Sequence, residues 1–223
     1  MLLTADDAVL LLIDLQQRLM PVIHDRDTVV ARAVRLAEAA RLMDVPVIAT
    51  EQNPAGLGPT VPPLSAYPQK VLAKTAFSAA GAPGLAALLL AAGGGPASPG
   101  GTPGEGATAS AGGTPVEGAT ASAGGTPVEG ATASAGGSRR QIIVAGCEAH
   151  VCVLQTVLDL LADGHRVAVA ADAVGSRDPA DRSAALERAR QHGAEIVTSE
   201  MVLFEWLRDS QHPRFREVQK LLK

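Results

Sequence analysis

The chain has 223 residues, of which 47% are hydrophobic and only 2% aromatic, and its formal net charge at pH 7 is −4. This composition supports a sizeable aliphatic core, and the acidic balance argues against a protein that binds nucleic acid mainly through a basic surface. Two cysteines exclude a disulfide-rich scaffold, and no apolar run approaches the ~20 residues that span a bilayer. The first seven residues carry no basic cluster of the kind that begins a secretory signal. We therefore expect a cytoplasmic globular protein with no membrane or nucleic-acid partner.

Outside residues 93–138, predicted strands and helices alternate along the chain. Short apolar runs predict strands at Ala8–Ile13, Pro46–Thr50, Val71–Ala73, Gln141–Ala145, Arg166–Ala171 and Ile196–Val197. Helical spacing and flanking signals predict helices at Asp27–Met43, Leu85–Ala92, Cys152–Ala162, Pro179–Gln191, Met201–Leu207 and Pro213–Leu222. Asp25 or Asp27 is a candidate cap for the first helix, and Asp178 for the fourth. This alternation predicts a doubly wound α/β fold, in which a mostly parallel sheet has helices on both faces.

Residues 93–138 consist almost entirely of Gly, Ala, Thr, Ser, Pro and Glu, and a 12-residue unit repeats in tandem from Gly100 to Ala135. Each unit has at most one medium-sized apolar residue, which is too little to form a stacked core. We interpret the segment as a flexible insertion in a surface loop of a single domain that spans residues 1–223. The alternative is a binding or tethering arm with glutamates at regular spacing. Since the insertion precedes the strand at Gln141, we expect it to lie away from the carboxyl ends of the strands.

Polar residues at strand ends are candidates for function, because ligands of doubly wound sheets bind at the carboxyl ends of the strands. Asp14 directly follows the first strand, where a buried carboxylate suits a general base. The alternative is an aspartate that caps the next turn. Lys74 directly follows the third strand, and its ammonium could stabilise a thiolate or an oxyanion. The alternative is a lysine whose aliphatic stem covers apolar surface.

Cys152 lies at the predicted start of the third helix. Helix N–H groups and the helix dipole favour a thiolate there, which makes Cys152 a candidate nucleophile. The alternative is a small buried hydrophobic residue, a description that fits Cys147 better. His150 is a candidate partner for Cys152, ranked behind Asp14 and Lys74. A redox pair of Cys147 and Cys152 is a further alternative, although their spacing is not C-x-x-C.

Several segments, taken in order, resemble the isochorismatase-like cysteine hydrolases. They are LLIDLQ with Asp14, AKTAFSA with Lys74, AGCEAHVCVLQT with Cys152, and DAVGSR at residues 172–177. TEQNPAGLG at residues 50–58 resembles the subgroup of isochorismatase-domain-containing proteins. The resemblance covers nearly the whole chain outside the insertion. It implies a doubly wound α/β hydrolase that commonly forms homo-oligomers, as dimers or larger assemblies.

The resemblance also implies the site residues. The catalytic triad would be Asp14, Lys74 and Cys152. The peptide bond between Cys147 and Glu148 would be cis, and the backbone N–H groups of Glu148 and Cys152 would form the oxyanion hole. The expected reaction is hydrolysis of a small amide or related C–N bond through a thioester on the cysteine. The alternative is a catalytically silent binding or scaffold member that uses the repeat as an interaction arm.

The loop after the second strand departs from the nicotinamidases of this family, which bind a metal there through an Asp-x-His pair and a later His. The corresponding stretch here, ATEQNPAGLGPTVPP, contains no histidine. We therefore expect no metal and no other cofactor. The candidate contacts to a small-molecule substrate are Glu51, Gln52 and Asn53 in this loop, together with Phe77 and His150. The alternative for the loop is an ordinary Pro/Gly-rich connection.

Overall fold

Six parallel strands form one sheet in the computed structural model, which describes residues 2–91 and 140–222. The strands are β1 (Ala8–Ile13), β2 (Val47–Gln52), β3 (Lys70–Lys74), β4 (Gln141–Cys147), β5 (Arg166–Gly175) and β6 (Glu195–Val197). Their order across the sheet is β3-β2-β1-β4-β5-β6, and every neighbouring pair is parallel. The direction of winding reverses between β1 and β4. In such sheets the ligand crevice lies at the carboxyl ends of the strands on either side of that reversal.

Helices cover both faces of the sheet. They are α1 (Arg26–Leu42), α2 (Pro54–Leu57), α3 (Leu85–Ala91), α4 (Leu154–Ala162), α5 (Pro179–Gln191), α6 (Ser199–Leu207) and α7 (Phe215–Lys220). Consecutive residues of a strand point to opposite faces, so Leu10 and Leu12 of β1 pack with α1, α6 and α7. Val9, Leu11 and Ile13 pack with α3, α4 and α5 on the other face. Every residue of β1 is therefore buried, as its continuous aliphatic run predicts.

The predicted α/β fold is confirmed, and each predicted strand and helix is present with small shifts of its ends. Asp178 caps α5, because its carboxylate accepts a hydrogen bond of 2.8 Å from the backbone N–H of Ala180. Asp25 precedes α1, but its carboxylate accepts from the Thr28 hydroxyl and not from a helix N–H group. The short helix α2 and the extension of β5 as far as Gly175 were not predicted.

β1 and β4 approach each other closely at Gly146. This residue has a φ of +136°, and a side chain there would collide with the backbone of Ile13. Only glycine combines this conformation with this close approach. The contact brings the end of β1, where Asp14 lies, next to the segment that follows β4.

The two described ranges belong to one compact unit. The insertion at 93–138 lies outside them, so its flexibility, its role and its place relative to the strand ends remain predictions. No helix within residues 2–91 and 140–222 is both long and apolar enough to cross a bilayer.

Candidate active site

Asp14 follows the last residue of β1 and is fully buried. Its φ of +51° turns the chain out of the strand. Its backbone N–H donates to the Thr50 carbonyl at 3.2 Å, and the Thr50 hydroxyl donates to Asp14 Oδ1 at 2.7 Å. The carboxylate is thereby held between the ends of β1 and β2, and its second oxygen faces β3.

Lys74, the last residue of β3, reaches across the end of β2 to this carboxylate. Lys74 Nζ lies 2.7 Å from Asp14 Oδ2, and the two side chains are 1% and 0% exposed. Nζ also donates to Gln52 Oε1 at 2.7 Å and to the carbonyls of Ala76 and Phe77 at 3.2 and 2.9 Å. A buried ion pair needs such additional hydrogen bonds to offset the desolvation of its two charges.

Cys152 lies in a π-helical turn, Ala149–Val153, that leads into α4. The helical segment thus begins three residues earlier than predicted. The Glu148 carbonyl accepts hydrogen bonds of 3.1 Å from the N–H groups of Val151 and Val153. In an α-helix this oxygen would accept from Cys152, four residues further on. The π turn therefore directs the Glu148 carbonyl away from the Cys152 N–H, and single π turns are frequent at functional sites.

The Cys152 thiol lies beside the Asp14–Lys74 pair, and the residue is 6% exposed. Burial raises the pKa of the thiol to about 12; the negative charge of Asp14 adds to the rise, and the Lys74 ammonium partly opposes it. The helix start by itself favours a thiolate, whereas burial of the thiol and the charge of Asp14 raise its pKa. At neutral pH the thiol keeps its proton, and Asp14 is an adjacent group that can accept it.

The peptide bond between Cys147 and Glu148 is cis, as the family resemblance implies. The Glu148 carboxylate accepts from the backbone N–H and the Nε of Arg177 at 3.1 and 3.0 Å, which ties this segment to the loop after β5. The Cys147 thiol is buried with its sulfur 3.7 Å from Met20 Sδ, and burial raises its pKa. Cys147 thus has the structural position predicted for it. Neither Cys147 nor Cys152 is in a disulfide.

Two of the candidate substrate contacts have their side chains engaged within the protein. Glu51 Oε1 accepts from the backbone N–H and the hydroxyl of Thr60 at 2.7 and 2.8 Å. The side-chain Oε1 of Gln52 accepts from Lys74 Nζ, and its Nε2 donates to the Thr75 carbonyl, both at 2.7 Å. Both therefore stabilise the rim of the site, whatever else they contact.

The other three candidates differ in their surroundings. Phe77 is 55% exposed, although its carbonyl oxygen binds Lys74. His150 Nδ1 lies 3.0 Å from Ser176 Oγ, and its Nε2 lies 3.6 Å from a carboxylate oxygen of Asp181. This arrangement pairs His150 with Ser176 in the loop after β5 and with Asp181 in the first turn of α5. Asn53 adopts a left-handed conformation, with a φ of +39°, immediately before α2.

Comparison with known proteins identifies the family. Residues 8–201 match the family model of the isochorismatase domain. The chain belongs to the isochorismatase family. Isochorismatase domain-containing protein 2A of Mus musculus is 34% identical over 218 residues, covering 98% of this chain and 84% of that protein. Isochorismatase domain-containing protein 2 of Danio rerio is 35% identical over 220 residues, covering 99% and 89%.

A solved structure supports the same relationship. The chain described as MAR1 ribonuclease from Caenorhabditis elegans is 31% identical, with a TM-score of 0.75, over 100% of this chain and 92% of that one. Membership in the isochorismatase family supports a hydrolase-type function.

Within the described residues of this isochorismatase-family chain, no group of three or more His, Cys, Asp or Glu side chains is arranged to hold a metal ion. Glu51, which lies in β2 and not in the loop that follows it, binds Thr60. The absence of a resident metal or cofactor stays a prediction.

Two hydroxyl side chains of the site were not predicted. Thr50 binds Asp14, as described above, and its position at the end of the predicted second strand was the available signal. Thr156 of α4 is fully buried, donates to the Cys152 carbonyl at 2.6 Å and accepts from the Ala79 N–H at 2.8 Å. A threonine four residues after the cysteine is placed for the first of these bonds. Thr156 therefore joins the cysteine segment to the loop after β3.

Replacement of Thr156 by valine is expected to destabilise the protein by about 1–3 kcal/mol, because the buried N–H of Ala79 loses its acceptor. Urea unfolding measures the loss. Thr28→Val is the matched control, since the Thr28 hydroxyl binds Asp25 at the surface, and it is expected to change stability by no more than about 0.5 kcal/mol. Equal losses in both variants would contradict the role given to Thr156.

The raised pKa of the Cys152 thiol predicts its alkylation behaviour. Below the pKa of about 12 the thiol is mostly neutral, so the iodoacetamide rate is expected to rise about tenfold per pH unit from pH 6 to 9. Fragment mass spectrometry assigns the adduct to Cys152 or Cys147. A rate at Cys152 that is already maximal below pH 7 would show a preformed thiolate and contradict this expectation.

Proposed function

We propose that this protein is a cysteine hydrolase that cleaves a small amide or a related C–N bond through a thioester on Cys152. The supporting observation is the buried Asp14–Lys74 ion pair beside a neutral buried thiol. Buried ion pairs are weak contributors to stability, because desolvation offsets their attraction. A catalytic role gives the better explanation for keeping two charges here.

In the first step, the Asp14 carboxylate accepts the thiol proton while Cys152 Sγ bonds to the substrate carbonyl carbon. Because the pKa of the thiol is raised, most of the thiol is neutral at pH 7, so the attack needs a base acting in the same step. The carbonyl oxygen becomes an oxyanion that accepts hydrogen bonds from the N–H groups of Glu148 and Cys152. The diversion of the Glu148 carbonyl towards Val151 and Val153 supports this role for the Cys152 N–H.

In the second step, the C–N bond breaks as the protonated Asp14 gives its proton to the leaving nitrogen. The acyl group stays on Cys152 as a thioester. Water then attacks the thioester carbonyl and loses a proton to Asp14, which returns that proton to the departing sulfur. One water is consumed, and the products are a carboxylic acid and ammonia or an amine.

Lys74 transfers no proton in this sequence. It holds Asp14 in place and opposes the rise in the pKa of the Cys152 thiol. The exposed ring of Phe77 and the partly exposed His150 are the candidate substrate contacts in the proposal. Self-association, a cytoplasmic location and the small-molecule nature of the substrate remain predictions.

The proposal is tested by ammonia release from a panel of small primary amides and carbamoyl compounds, with Cys152→Ala beside the wild type. We expect at least one compound to be hydrolysed by the wild type and not by the variant. Full activity in Cys152→Ala would contradict the nucleophile. Cleavage of a single-stranded RNA homopolymer without ammonia release would contradict an amide substrate and favour the activity named for the nematode relative. Silence on both would favour the binding or scaffold alternative.

A further inference from the structure

Lys74 is held by more than its ion pair. Within the described residues, four oxygens lie within 3.2 Å of its Nζ, and the two nearest, both at 2.7 Å, belong to Asp14 and Gln52. Asp14 contributes a charge, whereas Gln52 contributes a neutral acceptor. The ammonium donates hydrogen bonds to Gln52, Ala76 and Phe77, which matches its three protons, and Asp14 Oδ2 lies at ion-pair distance without a hydrogen bond.

The Gln52 amide has a determined orientation. Its Nε2 donates to the Thr75 carbonyl at 2.7 Å, which turns Oε1 towards Lys74. A flipped amide would place an NH₂ group against the ammonium and an oxygen against a carbonyl. The observed orientation is therefore the one that satisfies both ends of the amide.

The backbone of Gln52 is also clamped. Its N–H donates to Gln16 Oε1 at 2.8 Å, and its carbonyl accepts from Gln16 Nε2 at 3.1 Å. Gln16 is fully buried two residues after Asp14, and Gln52 pairs with Lys74 in the β2–β3 register. The main chain and the side chain of Gln52 are thus both bound to the segments that carry the ion pair.

A neutral acceptor has a chemical advantage over a carboxylate at this position. A second anion would share the ammonium with Asp14 and weaken the Asp14–Lys74 pair. It would also add negative charge near Cys152, where the charge of Asp14 already disfavours the thiolate. An amide oxygen holds Lys74 without either effect.

We propose that Gln52 is a positioning residue, which acts through Lys74 to keep the ammonium on Asp14 beside the Cys152 thiol. This inference rests on the proposed function and gives Gln52 a role other than substrate contact. Its consequence is that Gln52 governs the chemical step more than the binding of substrate.

The test compares Gln52→Glu with Gln69→Glu by iodoacetamide alkylation of Cys152, which needs no substrate. Gln69 is the matched control: its Oε1 accepts from the Val47 N–H at the other end of β2, so the added charge lies away from Lys74. At pH 8 we expect Gln52→Glu to slow alkylation about tenfold, equivalent to one unit of thiol pKa. Gln69→Glu is expected to stay within about twofold of the wild type. Equal rates in the two folded variants would overturn the inference.

Gln52→Leu separates the loss of the acceptor from the added charge. With an amide found in the substrate panel, we expect kcat to fall about tenfold while KM stays within about threefold, because a positioning group acts on the chemical step. A rise in KM at unchanged kcat would overturn the inference and indicate a substrate contact. Activity retained by Cys152→Ala would instead refute the proposed function, so the two failures are distinguishable.

Discussion

Cys152→Ala is expected to lower kcat/KM for amide hydrolysis at least about 1,000-fold, because the atom that bonds to the substrate carbonyl is removed. The fold should remain, since the substitution deletes one sulfur from the edge of the core and costs about 1 kcal/mol. Ammonia release measures the first effect, and circular dichroism with thermal unfolding measures the second.

Cys147→Ala is the matched control for this variant. It removes a second buried thiol, whose sulfur packs on Met20 at 3.7 Å on the opposite face of the sheet. We expect a similar loss of stability, with activity per folded molecule within about threefold of the wild type. If the two alanine variants lose activity equally, the assignment of Cys152 as the nucleophile is contradicted.

Asp14→Asn and Lys74→Met are each expected to destabilise the protein by about 3–5 kcal/mol, because each leaves the other member of a buried ion pair without its partner. The double variant should lose less than the sum of the two, since it removes both charges. All three variants should be inactive if Asp14 transfers the protons and Lys74 holds Asp14 in place. Urea unfolding of the wild type, the two single variants and the double variant completes the double-mutant cycle.

A surface pair provides the comparison for this cycle. Arg190 and Glu187 are 3.0 Å apart but 60% and 55% exposed. Glu187→Gln is therefore expected to change stability by about 1 kcal/mol or less. Additive losses at Asp14 and Lys74, similar to those of the surface pair, would contradict a coupled buried ion pair.

The fold and the main site residues could be predicted because both depend on local patterns. Aliphatic runs alternate with helical spacing, and polar residues follow the runs at Asp14 and Lys74. The carboxyl ends of parallel strands meet at one edge of a sheet, so these residues were expected to be close together. Local sequence patterns do not reveal the order of the strands in the sheet. It could therefore not be predicted that Lys74 of β3 reaches across β2 to Asp14.

Three details of the site needed the tertiary structure. A π turn adds one residue to a helical turn, and the spacing of apolar residues does not reveal so small a change. The π turn before α4 was therefore not predicted. The raised pKa of the Cys152 thiol could not be predicted, because burial and the charge of Asp14 are properties of the packed site. Glu51 and Gln52 remain predicted substrate contacts, and their hydrogen bonds to Thr60, Thr75 and Lys74 could not be predicted because they arise only after folding.

The central claim is that turnover passes through a thioester on Cys152. The most direct test is rapid acid quenching of the wild type during turnover of an amide from the panel, followed by fragment mass spectrometry. We expect the acyl part of the substrate on Cys152, and we expect turnover to stop once Cys152 is stoichiometrically alkylated. Turnover that continues unchanged after alkylation, with no acyl group on Cys152 at any quench time, would contradict the claim.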